Sequence, residues 1–166
     1  MSSTDQMVRS RPHRREISVP GEASQIGVVR RIVRNWLERC EIDPTQAYDV
    51  VLAVNEAMTN AIEHGYRFRP GIVRVAGELT EEDLRVTVTD EGSWKPIDIP
   101  ENPHRGRGLE LMRVLMTEVT VRIEDGGTTV DMRTKPIYRR PHSPRPLATA
   151  SQRGRAIAGR AGSRPE

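Results

Sequence analysis

The sequence predicts an α+β protein in which helices cover one face of a mixed, mostly antiparallel sheet. Three observations carry this prediction. Residues 22–40 and 44–64 repeat apolar side chains at spacings of three and four, which is typical of amphipathic helices. Two later pairs of segments alternate apolar and polar residues around short turns, as β-hairpins do. Hairpin connections favour antiparallel pairing, so we expect a two-layer α/β sandwich.

Length and charge indicate one domain with polar tails. The chain has 166 residues, and we expect the domain at 15–137, with disordered tails at 1–14 and 138–166. Residues 139–166 contain seven arginines and one acidic residue, whereas the whole chain has a formal net charge of only +3. The folded part is therefore mildly acidic, which argues against nucleic-acid binding by the domain, and any such binding would depend on the basic tail.

Cysteine usage and hydropathy favour a cytoplasmic protein without membrane contact. The single cysteine, Cys40, excludes an internal disulfide and ends an apolar helical pattern, which predicts a buried free thiol. The sequence shows neither an apolar run of spanning length nor an N-terminal signal core.

The predicted elements follow one another in a simple order. A short strand at 16–20 precedes helix 22–40, in which Trp36 falls on the apolar stripe. Asp43 is the predicted N-cap of helix 44–64, with Pro44 at its first position. The remaining predicted elements are a hairpin at 72–79 and 84–90, a long loop at 91–107, a helix at 109–116 and a closing hairpin at 119–123 and 128–132.

The helix at 44–64 carries an unusual polar stripe. Glu56, Asn60 and His64 are four residues apart and therefore lie on one side, flanked by small alanines. A carboxylate and an amide oxygen at this spacing could hold a hard cation or polarise a hydroxyl group. An ordinary amphipathic helix with a few polar residues explains the same pattern equally well.

Asp90 is predicted to point toward the core at the end of a strand. It has the register of Leu84, Val86 and Val88, and an unpaired buried charge costs several kcal/mol. Either Asp90 caps the turn at Gly92, or it accepts a hydrogen bond from a ligand N–H group.

A Gly-x-Gly turn at Gly106 and Gly108 enters the helix at 109–116. Backbone N–H groups at a helix N-terminus attract anions, and Arg105 and Arg107 add positive charge. This short pattern alone is weak evidence for phosphate binding.

Taken together, these stretches resemble the GHKL-type ATP-binding domain (the Bergerat fold) of histidine kinases, gyrase and Hsp90. Residues 56–66 are similar to its N box, 90–94 to its G1 box, and 106–112 to its G2 box. Gly127-Thr128-Thr129 resembles the last turn of the domain. Within this group the chain looks most like the bacterial anti-sigma-factor serine kinases, over about residues 15–135.

The resemblance implies roles for the polar residues. Glu56 would be the general base, and Asn60 would hold Mg²⁺ bridging the phosphates of ATP. Asp90 would accept the adenine amino hydrogen, with Thr128 assisting it and Thr129 as the alternative. His64 matches the family pattern, but we assign it no catalytic role.

The glycine-rich residues would contact the rest of the nucleotide. Gly92 would let the backbone approach ATP. The loop at 95–107 would form a lid over the bound nucleotide. The predicted phosphate-side residues are Arg105, Gly106, Arg107, Gly108 and Leu109. One departure is Trp94, which stands where the G1 pattern usually has glycine, so we expect an altered mouth to the base pocket.

The implied function is that of a serine kinase and anti-sigma factor in a bacterial partner-switching circuit. Its partners would be a sigma factor, a small STAS-type antagonist that it phosphorylates, and a second copy in a homodimer. The alternatives are a non-catalytic ATP-binding regulator and a nucleic-acid-binding protein acting through its tail. Retention of Glu56 favours the kinase.

Overall fold

The computed structural model describes residues 13–67, 69–92, 107–124 and 126–140. A π-helical turn at Ala61–Gly65, called the π turn below, continues the second helix. The helices are α1 (Ala23–Arg39), α2 (Pro44–Asn60) and α3 (Arg107–Leu115), and the strands are β1 (His13–Pro20), β2 (Ile72–Leu79), β3 (Leu84–Asp90), β4 (Glu118–Glu124) and β5 (Gly127–Thr134).

The strands form one five-stranded sheet in the order β1-β2-β3-β5-β4. Every strand pairing within the described residues is antiparallel. The predicted α+β sandwich is therefore confirmed, and the sheet is more uniformly antiparallel than the mixed sheet that we expected.

The core lies between the helices and one face of the sheet. Alternation on β3 buries Leu84, Val86 and Val88 on this face, as predicted. Each buried aliphatic side chain of this kind stabilises the fold by roughly 1.5–3 kcal/mol. The helical side of the core includes Val29, Val33, Trp36, Leu37, Val50, Val54 and Met58.

The second helix begins as predicted and ends differently. The Asp43 side chain caps it by accepting a hydrogen bond from Thr45 N at 2.9 Å. From Ala61 the helix widens into the π turn, where Tyr66 N donates to Ala61 O at 2.9 Å. The close approach of Gly65 to the Asp90 carboxylate accompanies this widening. Helical spacing does not encode that contact, so a regular helix to residue 64 was predicted.

Ordered structure extends slightly beyond both predicted boundaries. Strand β1 begins at His13, because its first residues pair with the end of β2. At the other end, Tyr138 forms a bridge with Ile42, and Arg139 N donates to Glu41 O at 2.7 Å. The remainder of both predicted tails lies outside the described residues. None of the described helices combines the length and apolarity needed to cross a bilayer.

The sheet face opposite the helices is polar. Asp131, on β5, is 4% exposed and accepts hydrogen bonds from Arg85 at 2.9 and 2.7 Å and from Arg122 at 2.8 Å. The hydrogen bonds and positive charge of Arg85, with a smaller contribution from Arg133, hold the pKa of the Asp131 carboxyl below its usual range. We call Asp131 and its partners Arg85, Arg122 and Arg133 the Asp131 cluster.

Candidate functional site

A cleft of about 380 Å³, counting space open to solvent, lies between α2, α3 and the sheet. Its walls are mainly apolar, and its polar groups belong to Asn60, Asp90 and Thr128. Apolar walls with a few converging polar groups are typical of small-molecule sites. The apolar lining residues are Ala57, Ala61, Val88, Leu109, Met112, Val121 and Val130.

Asp90 supplies the buried carboxylate of the cleft. Its side chain is 4% exposed, and Oδ1 accepts a hydrogen bond from Gly92 N at 2.9 Å. Burial raises the pKa of Asp90, and backbone N–H groups of Gly92 and Thr128 partly oppose that shift. A carboxylate has about four lone-pair positions, so Asp90 can still accept a hydrogen bond from a ligand.

Thr128 lies opposite Asp90 on β5. Its Oγ1 is buried and has no hydrogen-bond partner among the described residues. A buried hydroxyl group without a partner is energetically unfavourable, and a ligand or a water molecule in the cleft would satisfy it. Thr129 points to the opposite face of the sheet, where its hydroxyl group lies 3.2 Å from that of Thr89. This position favours Thr128 over Thr129 as the residue that assists Asp90.

Two glycines allow the π turn to approach Asp90. A Cβ atom on Gly65 would lie 2.6 Å from Asp90 Oδ1, and one on Gly92 would overlap the Gly65 carbonyl. Gly92 was predicted to admit the nucleotide. The structure adds a second reason for a glycine there, since the backbones of Gly92 and Gly65 pack directly against each other.

Gly108 brings α3 against the polar stripe of α2. A Cβ atom on Gly108 would lie 2.9 Å from Glu56 Oε2 and 3.5 Å from Asn60 Oδ1. Glu56 and Asn60 are both half-buried. Gly108 lies in the first turn of α3, where backbone N–H groups lack partners within the helix. The carboxylate, the amide and these donors therefore meet at one end of the cleft.

The other predicted phosphate-side residues are only partly described. Leu109 lines the cleft, and Arg107 is exposed at the first position of α3. Arg105, Gly106 and Trp94 lie outside the described residues, as does most of the predicted lid.

Comparison with known proteins gives the family of this fold. The family model described as the histidine kinase-like ATPase domain matches residues 19–134, which include the whole cleft. The chain belongs to the histidine kinase-like ATPase domain family.

Relatives within the family include bacterial regulators. The serine-protein kinase RsbW of Staphylococcus aureus is 29% identical over 133 residues, covering 70% of this chain and 83% of the relative. The anti-sigma F factor of Clostridium acetobutylicum is 34% identical over 108 residues, covering 57% and 76% of the two chains.

A solved structure of the RsbU and RsbW domains of a Mycobacterium tuberculosis protein also has this fold. It superposes with a TM-score of 0.61 at 26% identity, covering 79% of this chain and 34% of that longer chain.

The polar groups of the cleft in this histidine kinase-like ATPase domain match the chemistry of ATP. The buried Thr128 hydroxyl group, which has no partner in the described part of the chain, and the remaining acceptor capacity of Asp90 suit the edge of a purine base. The absence of a side chain at Gly108 leaves space beside Glu56 and Asn60. Mg²⁺ takes few protein ligands and shares substrate phosphate oxygens, so the amide oxygen of Asn60 fits such an ion.

Sequence reasoning assigned no role to one buried residue beside the site. Tyr66 was placed only at the end of the segment that resembles the N box and in the turn that follows, yet its side chain is 8% exposed. The available signal was a pair of glycines, Gly71 shortly after Tyr66 and Gly21 far from it in the sequence, between which the ring packs. Neither glycine is close to Tyr66 in a repeating pattern, so periodicity could not identify the contact.

Proposed function

We propose that this protein is a serine protein kinase that transfers the γ-phosphoryl group of ATP to a small antagonist protein and also acts as an anti-sigma factor. The observation that carries the proposal is the position of Glu56. Its carboxylate lies beside Asn60 and Gly108, at the end of a cleft whose other polar groups suit adenine.

The adenine base occupies the apolar part of the cleft. Its amino group donates a hydrogen bond to the Asp90 carboxylate, and Thr128 Oγ1 contributes a second polar contact directly or through water. The side chains of Leu109, Met112 and Val121 provide apolar contact surface for the base. Because both polar partners are buried, a base without the matching donor would leave them unsatisfied.

The phosphates extend toward the start of α3. Backbone N–H groups at Gly106 and Gly108 donate to phosphate oxygens, and Arg105 and Arg107 add positive charge. Asn60 would hold Mg²⁺, and the ion would supply charge neutralisation and orientation of the phosphates.

Glu56 acts on the attacking group. Its carboxylate accepts the proton of the substrate serine hydroxyl while that oxygen forms a bond to the γ-phosphorus. The bond between the γ-phosphorus and the oxygen bridging to the β-phosphate breaks, and ADP leaves. Catalysis of this kind depends mainly on positioning and charge stabilisation.

The names of the relatives support the proposed partners. One is called a serine-protein kinase and another an anti-sigma factor. We therefore propose a sigma factor and a STAS-type antagonist, the phosphoryl acceptor, as partners of this chain. A homodimeric state and a cytoplasmic location are part of the proposal but do not follow from these names.

Phosphoryl transfer tests this proposal. Purified protein is incubated with γ-labelled ATP, Mg²⁺ and each of a panel of STAS-type proteins from the source organism. We expect a labelled phosphoserine on one of them, and Glu56→Gln should reduce the rate at least 100-fold, as general-base removal commonly does.

Glu63→Gln is the matched control, since Glu63 is an exposed carboxylate on the π turn, two turns further along from Glu56. Equal rates for wild type and Glu56→Gln would contradict the assigned base. ATP binding without transfer to any protein of the panel would favour the non-catalytic regulator.

A further inference from the structure

We propose that Tyr66 is a positioning residue that fixes Asp90 for recognition of the adenine base. The inference rests on the proposed ATP-binding function and adds a residue that does not itself line the cleft. It concerns base selectivity, because Tyr66 is connected to the Asp90 end of the site.

The Tyr66 hydroxyl group joins two strands through three hydrogen bonds. It donates to Ile72 O at 2.5 Å and accepts from Ile72 N at 3.1 Å and from Glu91 N at 2.8 Å. A tyrosine hydroxyl has one donor and two acceptor positions, so this arrangement uses its full capacity. The start of β2 and the residue after β3 are thereby held by one atom.

The Tyr66 ring packs between two glycine backbones. A Cβ atom on Gly21 would lie 2.8 Å from the ring, and one on Gly71 would overlap it. The two glycine backbones are joined by a hydrogen bond of 2.8 Å from Gly21 N to Gly71 O. Since the ring fills this slot at 8% exposure, the hydroxyl group cannot move without moving its neighbours.

Asp90 is held at two points, its side chain and the backbone that follows it. Gly65, immediately before Tyr66, packs against the Asp90 carboxylate. Glu91, immediately after Asp90, is held by the Tyr66 hydroxyl group, and Gly92 N donates to Asp90 Oδ1 at 2.9 Å. Two consecutive residues, Gly65 and Tyr66, therefore fix the side chain and the following backbone of Asp90.

Nucleotide binding by the full-length Tyr66→Phe variant tests this inference. Phenylalanine keeps the ring between the glycines and removes all three hydrogen bonds. We expect ATP affinity to fall about tenfold, the equivalent of one well-formed hydrogen bond. The preference for ATP over GTP should narrow by a similar factor, whereas the affinity for inorganic tripolyphosphate should stay unchanged.

The ratio of ATP to GTP affinity shows whether Tyr66 positions Asp90 or only stabilises the fold. A loss of fold stability alone would not change this ratio in the protein that remains folded. Tyr48→Phe is the control, because Tyr48 is 64% exposed. A Tyr66→Phe protein that is folded and keeps the wild-type ratio would overturn the inference.

Amide hydrogen exchange in the wild type provides a second test that needs no variant. The Glu91 amide should be strongly protected without nucleotide, and rapid exchange there would overturn the inference even if Tyr66→Phe did not fold.

Asp90→Asn distinguishes the two proposals. If Asp90→Asn weakens ATP binding while Tyr66→Phe keeps the wild-type selectivity, the proposed function stands and the role of Tyr66 falls. Wild-type protein that binds no ATP would overturn both.

Discussion

Asp90 and Thr128 lie directly opposite each other on β3 and β5. The Asp90 carboxylate already accepts a hydrogen bond, whereas the Thr128 hydroxyl group has no partner within residues 13–67, 69–92, 107–124 and 126–140. Both side chains are 4% exposed and line the same cleft. Buried polar groups are usually satisfied within a protein. The pair therefore constitutes a polar edge whose remaining hydrogen-bonding capacity is available to a ligand.

Thr128→Val should weaken ATP binding without destabilising the free protein. Valine has nearly the same shape, so the variant loses one contact to the base, worth about 0.5–1.5 kcal/mol of binding free energy. The unliganded protein loses only an unpaired buried hydroxyl group, so its free energy of unfolding should stay equal or rise.

Calorimetric ATP titration and urea unfolding measure the two effects. Thr129→Val is the control, because its hydroxyl group faces the opposite side of the sheet, beside Thr89. Unaltered ATP affinity in Thr128→Val would contradict the assigned contact.

The stability advantage of the unliganded Asp90→Asn variant over the wild type should grow as the pH rises. Burial raises the pKa of Asp90, so the folded wild type holds a proton at pH values at which the unfolded chain has released it. Stability of the wild type therefore decreases as the pH rises between the unfolded and the raised folded pKa.

The asparagine variant has no such dependence at this position. Its stability advantage should grow through that pH window and then level off, as measured by urea unfolding at a series of pH values. A difference in unfolding free energy between the variant and the wild type that does not change with pH would contradict the raised pKa of Asp90.

The sequence predicted the layers of the fold and the buried side of Asp90 but missed two features. Period-two alternation set the register of Leu84, Val86, Val88 and Asp90, and it held to the end of the strand. The π turn and the packing of Tyr66 depend on contacts between segments far apart in the chain. Such contacts leave no local periodicity.

The Asp131 cluster was missed for a related reason. Alternation places Asp131 on the polar face of β5, but its three arginine partners come from β3, β4 and β5. Arg133 shares the strand face of Asp131, but only the strand order reveals that Arg85 and Arg122 reach the same carboxylate. Likewise, the contact of Gly108 with Glu56 depends on where α3 docks after a long connection.

Gly108→Ala should reduce phosphoryl transfer without unfolding the protein. The new methyl group would lie 2.9 Å from Glu56 Oε2, so the flexible carboxylate must move away. Alanine favours a helix over glycine by about 1 kcal/mol, which offsets local crowding.

Transfer assays measure the phosphoryl-transfer rate of Gly108→Ala, and thermal unfolding measures its stability. Gly126→Ala is the control, since a Cβ there meets nothing within 4 Å. Unchanged transfer would show that Glu56 is not held at this contact.

Asp131→Asn should destabilise the fold and leave ATP affinity unchanged. Asparagine lacks the charge that Arg85 and Arg122 share, so a loss of about 1–3 kcal/mol in unfolding free energy is expected. The lowered pKa of Asp131 means that the wild-type advantage is present above the unfolded pKa and disappears as the pH falls through the folded pKa.

Urea unfolding at neutral and acidic pH measures this dependence. Asp83→Asn is the control, because the Asp83 carboxylate is 39% exposed and pairs with Arg133 at the longer distance of 3.8 Å. Equal stability of Asp131→Asn and wild type at neutral pH would contradict the structural role of the cluster.

The central claim is that α2, β3 and α3 converge on a single ATP-binding cleft. Calorimetric titration of the purified protein with ATP and Mg²⁺ tests it most directly, using wild type, Asn60→Ala and Asp90→Ala. We predict saturable binding of one ATP per chain by the wild type and a large loss of affinity in both variants. Absence of binding by the wild type, or equal affinity in all three proteins, would contradict the account.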